Sequence, residues 1–130
     1  MKLSLSTILP GALFAMEALA EPTTDKYIRV LLEEPQKWVA GSRLFPGNVI
    51  AGYNAGLGDY NAESWSNYVF EKCKSFDQCT SSLAFSAINS GTPKTEALFG
   101  YVFRGGPTTQ KDYKRVEGVK NSVAYSIVKD

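Results

Sequence analysis

The sequence predicts an α+β fold in which one central helix packs on a curved antiparallel sheet. One observation is a single apolar stripe with spacings of three and four residues, the pattern of one face of a helix. Another is that the segments after this stripe alternate apolar and polar residues, as half-buried strands do. A chain of 130 residues, once an N-terminal leader of about 20 residues is removed, has the length of one domain.

Short strand candidates separated by turns occupy the first part of the chain. Residues 27–32 are rich in β-forming side chains and predict a first strand, which ends before Pro35. Residues 38–39 and 48–53 predict two further short strands. The segment 52–59 carries three glycines and is therefore predicted to be a loop.

The helix is predicted to begin after Asn61, whose side chain can cap the first free backbone N–H groups. Glu63 would lie in the first turn, where a negative charge suits the helix dipole. The apolar stripe that defines the helix consists of Ala62, Trp65, Val69, Cys73 and Phe76.

Three strands are predicted after the helix, at residues 82–88, 97–103 and 122–127, with a turn at 89–93. The first two strands each place an apolar set on one face, because alternate residues point the same way. These sets are Leu83, Phe85 and Ala87 in the first strand and Phe99, Tyr101 and Phe103 in the second.

The N-terminus is predicted to be a signal peptide that is cleaved after Ala20. Lys2 supplies the positive start, and an apolar run leads to a small-residue cleavage site. The alternatives are a membrane anchor and an N-terminal core helix. An anchor needs about 20 uninterrupted apolar residues, and this run is interrupted by Pro10, Gly11 and Glu17. The expected organisation is a signal peptide at 1–20, an N-terminal segment at 21–36 and a domain at 37–130, in a secreted protein.

The two cysteines, Cys73 and Cys79, are predicted to form one intramolecular disulfide. They are the only cysteines in the chain, and an exported protein meets an oxidising environment. A zinc site would need more ligands than two cysteines. A redox pair is normally separated by two residues, whereas five separate these.

Composition excludes several classes of function. The chain has no histidine, which removes Ser-His-Asp and Cys-His catalytic sites and His-containing metal sites. Its net charge of +1 gives little reason to expect nucleic acid or an anionic membrane as a partner. We expect no cofactor and no bound metal.

Paired carboxylates are the one catalytic chemistry that this composition permits. Asp59 and Glu63 are the best candidate pair for glycoside hydrolysis, in which two carboxylates flank the scissile bond. The favoured interpretation is structural, because a helix beginning near Asn61 already explains both residues.

Residues 104–115 are the first candidate for a binding surface. Four cations stand there against a single acid, Asp112, in a polar segment of the length typical of functional loops. The candidate residues are Arg104, Lys111, Tyr113, Lys114 and Arg115, with Tyr113 expected to offer a stacking face. The alternative interpretation is a solvated connection between two strands.

Three further aromatic residues are weaker binding candidates. Tyr53 and Tyr60 flank the glycine-rich segment and could stack on sugar rings. Trp38 has no periodic partners, so its exposure is left open.

The order of motifs resembles the PAN/apple module in the cysteine-poor form found in small secreted fungal proteins. The resemblance lies in a helix carrying Cys73, a second cysteine at Cys79, a strand with a small-x-Phe pattern, an aromatic strand running into 105–107, and a closing strand with Tyr125. It implies that the disulfide ties the central helix to the sheet. The other framework cysteines of the family are absent, and apolar residues such as Phe99 stand in their place.

This resemblance implies a non-enzymatic binding module that recognises an extracellular protein or a polysaccharide. We therefore expect a secreted, monomeric binding protein, with a role in fungal adhesion or host interaction. The alternatives are a small carboxylate-dependent hydrolase and a structural or effector protein that binds no sugar.

Overall fold

A computed structural model describes residues 26–88 and 94–128, which form one helix and two antiparallel sheets. The larger sheet has five strands in the order β1-β7-β4-β5-β3, and the smaller one pairs β2 with β6. The elements are β1 (Tyr27–Arg29), β2 (Trp38–Ala40), β3 (Val49–Gly56), α1 (Ala62–Lys74), β4 (Ser81–Ile88), β5 (Glu96–Phe103), a 3-10 turn (Gln110–Asp112), β6 (Tyr113–Arg115) and β7 (Lys120–Ile127). The predicted α+β class with a single packed helix is confirmed, whereas the curvature of the sheet stays a prediction.

Local signals define helix α1 at both ends. The Asn61 side chain accepts a hydrogen bond from the Ser64 N–H, and Ser64 Oγ accepts one from the Asn61 N–H, which confirms the predicted cap. Trp65, Val69 and Cys73 are buried, as the stripe predicts. Phe76 lies beyond the end of the helix and is 36% exposed, so its assignment to the helical stripe is wrong.

Two segments predicted as loops contain strands. The predicted strand at 48–53 is longer than expected, and the prediction of a loop over 52–59 is wrong for Asn54 to Gly56, because these residues pair with β5 and extend β3. The segment 104–115 likewise ends in β6, which pairs with β2. In both cases the missing information is a distant partner strand, since strand pairing depends on residues far apart in sequence.

The N-terminal segment joins the main sheet, because β1 pairs with β7. The proposed signal peptide and the predicted turn at 89–93 lie outside the described residues.

Each face of the large sheet carries its own core. Helix α1 covers one face, where the buried residues are Trp65, Val69, Cys73, Cys79, Ala84, Leu98 and Val102. The β2–β6 pair and neighbouring loops cover the other face, where the buried residues are Val30, Trp38, Ala40, Leu44, Leu83, Phe85, Phe103, Tyr113, Val119 and Ala124. The helix therefore lies on the far side of the sheet from the small sheet.

The predicted disulfide is confirmed. Cys73 and Cys79 are bonded, with their Cα atoms 5.4 Å apart. Cys73 lies in the last turn of α1, and Cys79 lies two residues before β4 begins. The bond therefore ties the end of the helix to the start of a central strand.

Candidate functional site

An apolar groove opens between the large sheet and the β2–β6 pair, and we call it the aromatic groove. It encloses about 330 Å³. Its lining residues are Val39, Ala40, Phe45, Phe85, Tyr101, Lys114 and Val116. Lys114 is the one charged residue in this set, so the walls are almost entirely apolar.

Aromatic rings of two neighbouring strands form the floor of the groove. Phe85 of β4 and Tyr101 of β5 have ring centroids 6.3 Å apart, and Phe45 meets the Tyr101 ring edge-on at 5.3 Å. Gly52 of β3 pairs with Tyr101. A Cβ atom at Gly52 would lie 3.1 Å from the Tyr101 ring, so the absence of a side chain gives this ring its room.

The groove remains accessible at its rim. Phe45 is 44% exposed and Val116 is 38% exposed. Val39 and Lys114 are paired neighbours on β2 and β6, so they form one wall together. Large apolar side chains left in contact with water at a concave site are typical of a binding surface.

An ion pair holds the loop that carries Phe45. Arg43 Nε donates to Asp112 Oδ1 at 2.7 Å, and Arg43 also donates to the carbonyl oxygens of Gly105 and Pro107. The hydrogen bond from Arg43 lowers the pKa of the Asp112 carboxyl, and the same bond raises the pKa of Arg43. These contacts attach the Phe45 loop to the segment that precedes β6.

The cations predicted as one binding surface have different surroundings. Arg115 lies over the Trp38 ring, 4.7 Å from its centroid, and donates to the carbonyl oxygens of Glu33 and Glu34. Arg104 donates to the Gly47 carbonyl oxygen at 3.2 Å. Lys111 is exposed in the 3-10 turn, and Lys114 alone of the candidate residues lines the aromatic groove.

The expectation that Tyr113 offers a stacking face at the surface is wrong. Its side chain is turned inward from β6 and is 5% exposed. The Tyr113 hydroxyl shares a hydrogen bond of 2.8 Å with Thr108 Oγ1, and burial raises the pKa of Tyr113 to about 12. Because neighbouring residues of a strand point to opposite sides, burying Tyr113 turns Lys114 outward.

The other aromatic candidates are buried or half-buried: Trp38 is buried, and Tyr53 and Tyr60 are half-buried. Trp38 is 7% exposed, and its Nε1–H donates to the Glu33 carbonyl oxygen. Tyr60 packs against Trp65 with ring centroids 5.1 Å apart, and both Tyr53 and Tyr60 contact the Tyr68 ring. The structure thus brings Tyr53 and Tyr60 together, but on the helix face of the sheet and apart from the groove.

The candidate carboxylates have local structural surroundings. Asp59 Oδ2 accepts a hydrogen bond from the Gly56 N–H at 3.2 Å, where strand β3 ends. Glu63 lies in the first turn of α1, as predicted. Within residues 26–88 and 94–128, no group of three or more acidic or cysteine side chains could hold a metal ion.

Two other hollows flank the N-terminal end of α1. One, of about 210 Å³, has a mixed lining that includes Tyr60, Trp65 and Asn121. The other, of about 370 Å³, is lined mainly by polar residues of the first helical turns and by Tyr125. The aromatic groove differs from both because its lining is apolar apart from one cation.

Of the residues that line the aromatic groove, only Lys114 was predicted from the sequence to be a binding residue. Phe85 and Tyr101 did carry a signal, because alternation placed both on one face of their strands, and the structure confirms this. A glycine at position 52 inside a strand was a second signal, since such glycines mark close approach of another group. Phe45 and Val116 lie outside the strands and have no periodic pattern.

Comparison with known proteins found no matching family model, no matching curated protein and no matching solved structure. In the part of the chain that the structure describes, α1 is too short and too polar to cross a membrane.

Proposed function

We propose that the protein is a secreted, non-enzymatic binding protein whose aromatic groove takes a small apolar molecule. One observation carries this proposal: a concave site of about 330 Å³ with an apolar lining stays open between two sheets. Sites for small ligands enclose roughly 300–1,000 Å³ and are lined mainly by apolar and aromatic side chains. The aromatic groove lies at the lower end of this range.

Binding rather than catalysis is supported by the chemistry of the lining. The described lining residues include no carboxylate and no hydroxyl other than that of Tyr101. The carboxylate pair considered for hydrolysis, Asp59 and Glu63, lies where β3 ends and α1 begins, and neither residue lines the groove. Hydrolysis by these two residues remains the alternative function.

An apolar ligand is favoured over a polysaccharide by the positions of the aromatic residues. Sugar recognition combines a free aromatic face with several hydrogen-bonding groups. Tyr113 and Trp38 are buried, and Tyr60 is packed against Trp65. The groove instead presents Phe45, which is 44% exposed, beside an apolar floor.

We also propose that the protein is exported from the cell and acts as a monomer. The Cys73–Cys79 disulfide is consistent with an oxidising compartment outside the cytosol. The resemblance to the PAN/apple module points the same way, towards a secreted binding domain.

The test uses N-phenyl-1-naphthylamine, a neutral probe whose fluorescence rises in apolar surroundings. We expect saturable binding with one site per chain, and we expect Phe45→Ala to weaken it at least about fivefold, since an aromatic contact contributes roughly 1 kcal/mol beyond the area it buries. Phe76→Ala is the matched control, because Phe76 is also partly exposed but lies outside the groove. Equal affinity in the two variants would show that the groove is not the binding site.

A further inference from the structure

We infer that the ligand of the aromatic groove is an amphipathic acid, with an apolar body in the groove and an anionic group paired with Lys114. This inference rests on the proposed function and names the class of ligand. It follows from the position of one cation at the wall of an otherwise apolar site.

Lys114 differs from the neighbouring arginines, Arg104 and Arg115, because its charge is not used within the described part of the protein. Among the described residues, no hydrogen bond or ion pair engages its ammonium group, and its side chain is exposed. Arg115 is held by two backbone carbonyl oxygens and the Trp38 ring. Arg104 is held by the Gly47 carbonyl oxygen.

The two acidic residues nearest to Lys114 in the chain, Asp112 and Glu117, are bound to other cations. Glu117, next to the lining residue Val116, forms an ion pair with Lys37 at 3.1 Å. Asp112, at the end of the 3-10 turn, pairs with Arg43 at 2.7 Å. The Lys114 ammonium group is therefore available to pair with an anionic group of a bound ligand.

The two properties of the site together define the ligand. Apolar walls favour an aromatic or aliphatic body, because burying such a surface removes it from water. A free ammonium at the same wall favours a carboxylate, sulfonate or similar anion, and opposes a second cation. A neutral sugar satisfies neither property, and a cationic amphiphile satisfies only the first.

The experiment compares two probes that share one framework. N-phenyl-1-naphthylamine is neutral, and 8-anilinonaphthalene-1-sulfonate adds one sulfonate to the same rings. For the wild-type protein at low salt we expect tighter binding of the sulfonate probe, and we expect added salt to remove this preference, since salt screens an exposed charge pair.

Lys114→Gln should weaken binding of the sulfonate probe about fivefold, the effect of losing one partly exposed charge pair, and should change the affinity for the neutral probe much less. Lys111→Gln is the matched control, because Lys111 is exposed three positions away and does not line the groove. Equal loss in both variants, or no loss in either, would overturn the pairing with Lys114. Failure of the neutral probe to bind would instead contradict the proposed function itself.

Discussion

Replacing Gly100 with alanine is expected to destabilise the protein by about 1–3 kcal/mol, the usual cost of overpacking a core. Gly100 lies in β5 under helix α1, and a Cβ atom there would overlap a γ-methyl group of Val69. Val69 is fully buried, and its branched side chain has one strongly preferred rotamer in a helix. The added methyl group must therefore push the helix away from the sheet.

Urea unfolding of three variants tests this expectation. Gly47→Ala is the control, because a Cβ atom at Gly47 has no neighbour within 4 Å. Adding Val69→Ala to the Gly100→Ala chain should recover part of the lost free energy of unfolding, since the smaller side chain leaves room for the new methyl group. If Gly100→Ala is as stable as Gly47→Ala, the close approach of Gly100 in β5 to Val69 in α1 is wrong.

Trp65→Ala is expected to have the largest effect, a loss of about 3–5 kcal/mol in the free energy of unfolding. Trp65 is 2% exposed at the centre of the helix-face core. Its ring stacks on Tyr68 with centroids 5.3 Å apart, and its Nε1–H donates to the Phe99 carbonyl oxygen at 2.9 Å. Alanine removes the ring, the stacking and the hydrogen bond together.

Trp65→Phe separates these contributions. Phenylalanine keeps an aromatic ring but has no N–H, so we expect a smaller loss, of about 1–3 kcal/mol, from the lost hydrogen bond to the Phe99 carbonyl oxygen and the reduced volume. Thermal or urea unfolding monitored by circular dichroism measures both variants. A loss below about 0.5 kcal/mol for Trp65→Ala, the size of a surface substitution, would contradict the assignment of Trp65 to the core.

The features that the sequence predicted well depend on neighbouring residues. Asn61 and Ser64 cap the helix within one turn, so a local pattern was sufficient to place its start. The central strands were also predicted, because their alternation continues over eight residues in β4 and in β5. Predicting the disulfide required only that the chain has two cysteines and that an exported protein meets an oxidising environment.

The features that were missed depend on residues far apart in the chain. Strand β3 continues from Asn54 to Gly56 because β5 pairs with these residues, and nothing within 52–59 indicates that partner. Tyr113 was expected at the surface and is buried, because pairing with β2 decides that Tyr113 and not Lys114 points inward. The aromatic groove combines residues from β2, β4, β5 and β6 with Phe45 and Val116, so only the folded chain brings them together.

The most direct test of the binding site is an NMR titration of the isotope-labelled protein with N-phenyl-1-naphthylamine. We expect saturable chemical-shift changes at Val39, Phe45, Tyr101 and Val116, which line the aromatic groove, and little change around the buried Trp65 on the opposite face of the sheet. Shift changes concentrated instead in the hollows beside the N-terminal end of α1, with the groove residues unaffected, would contradict the proposed site.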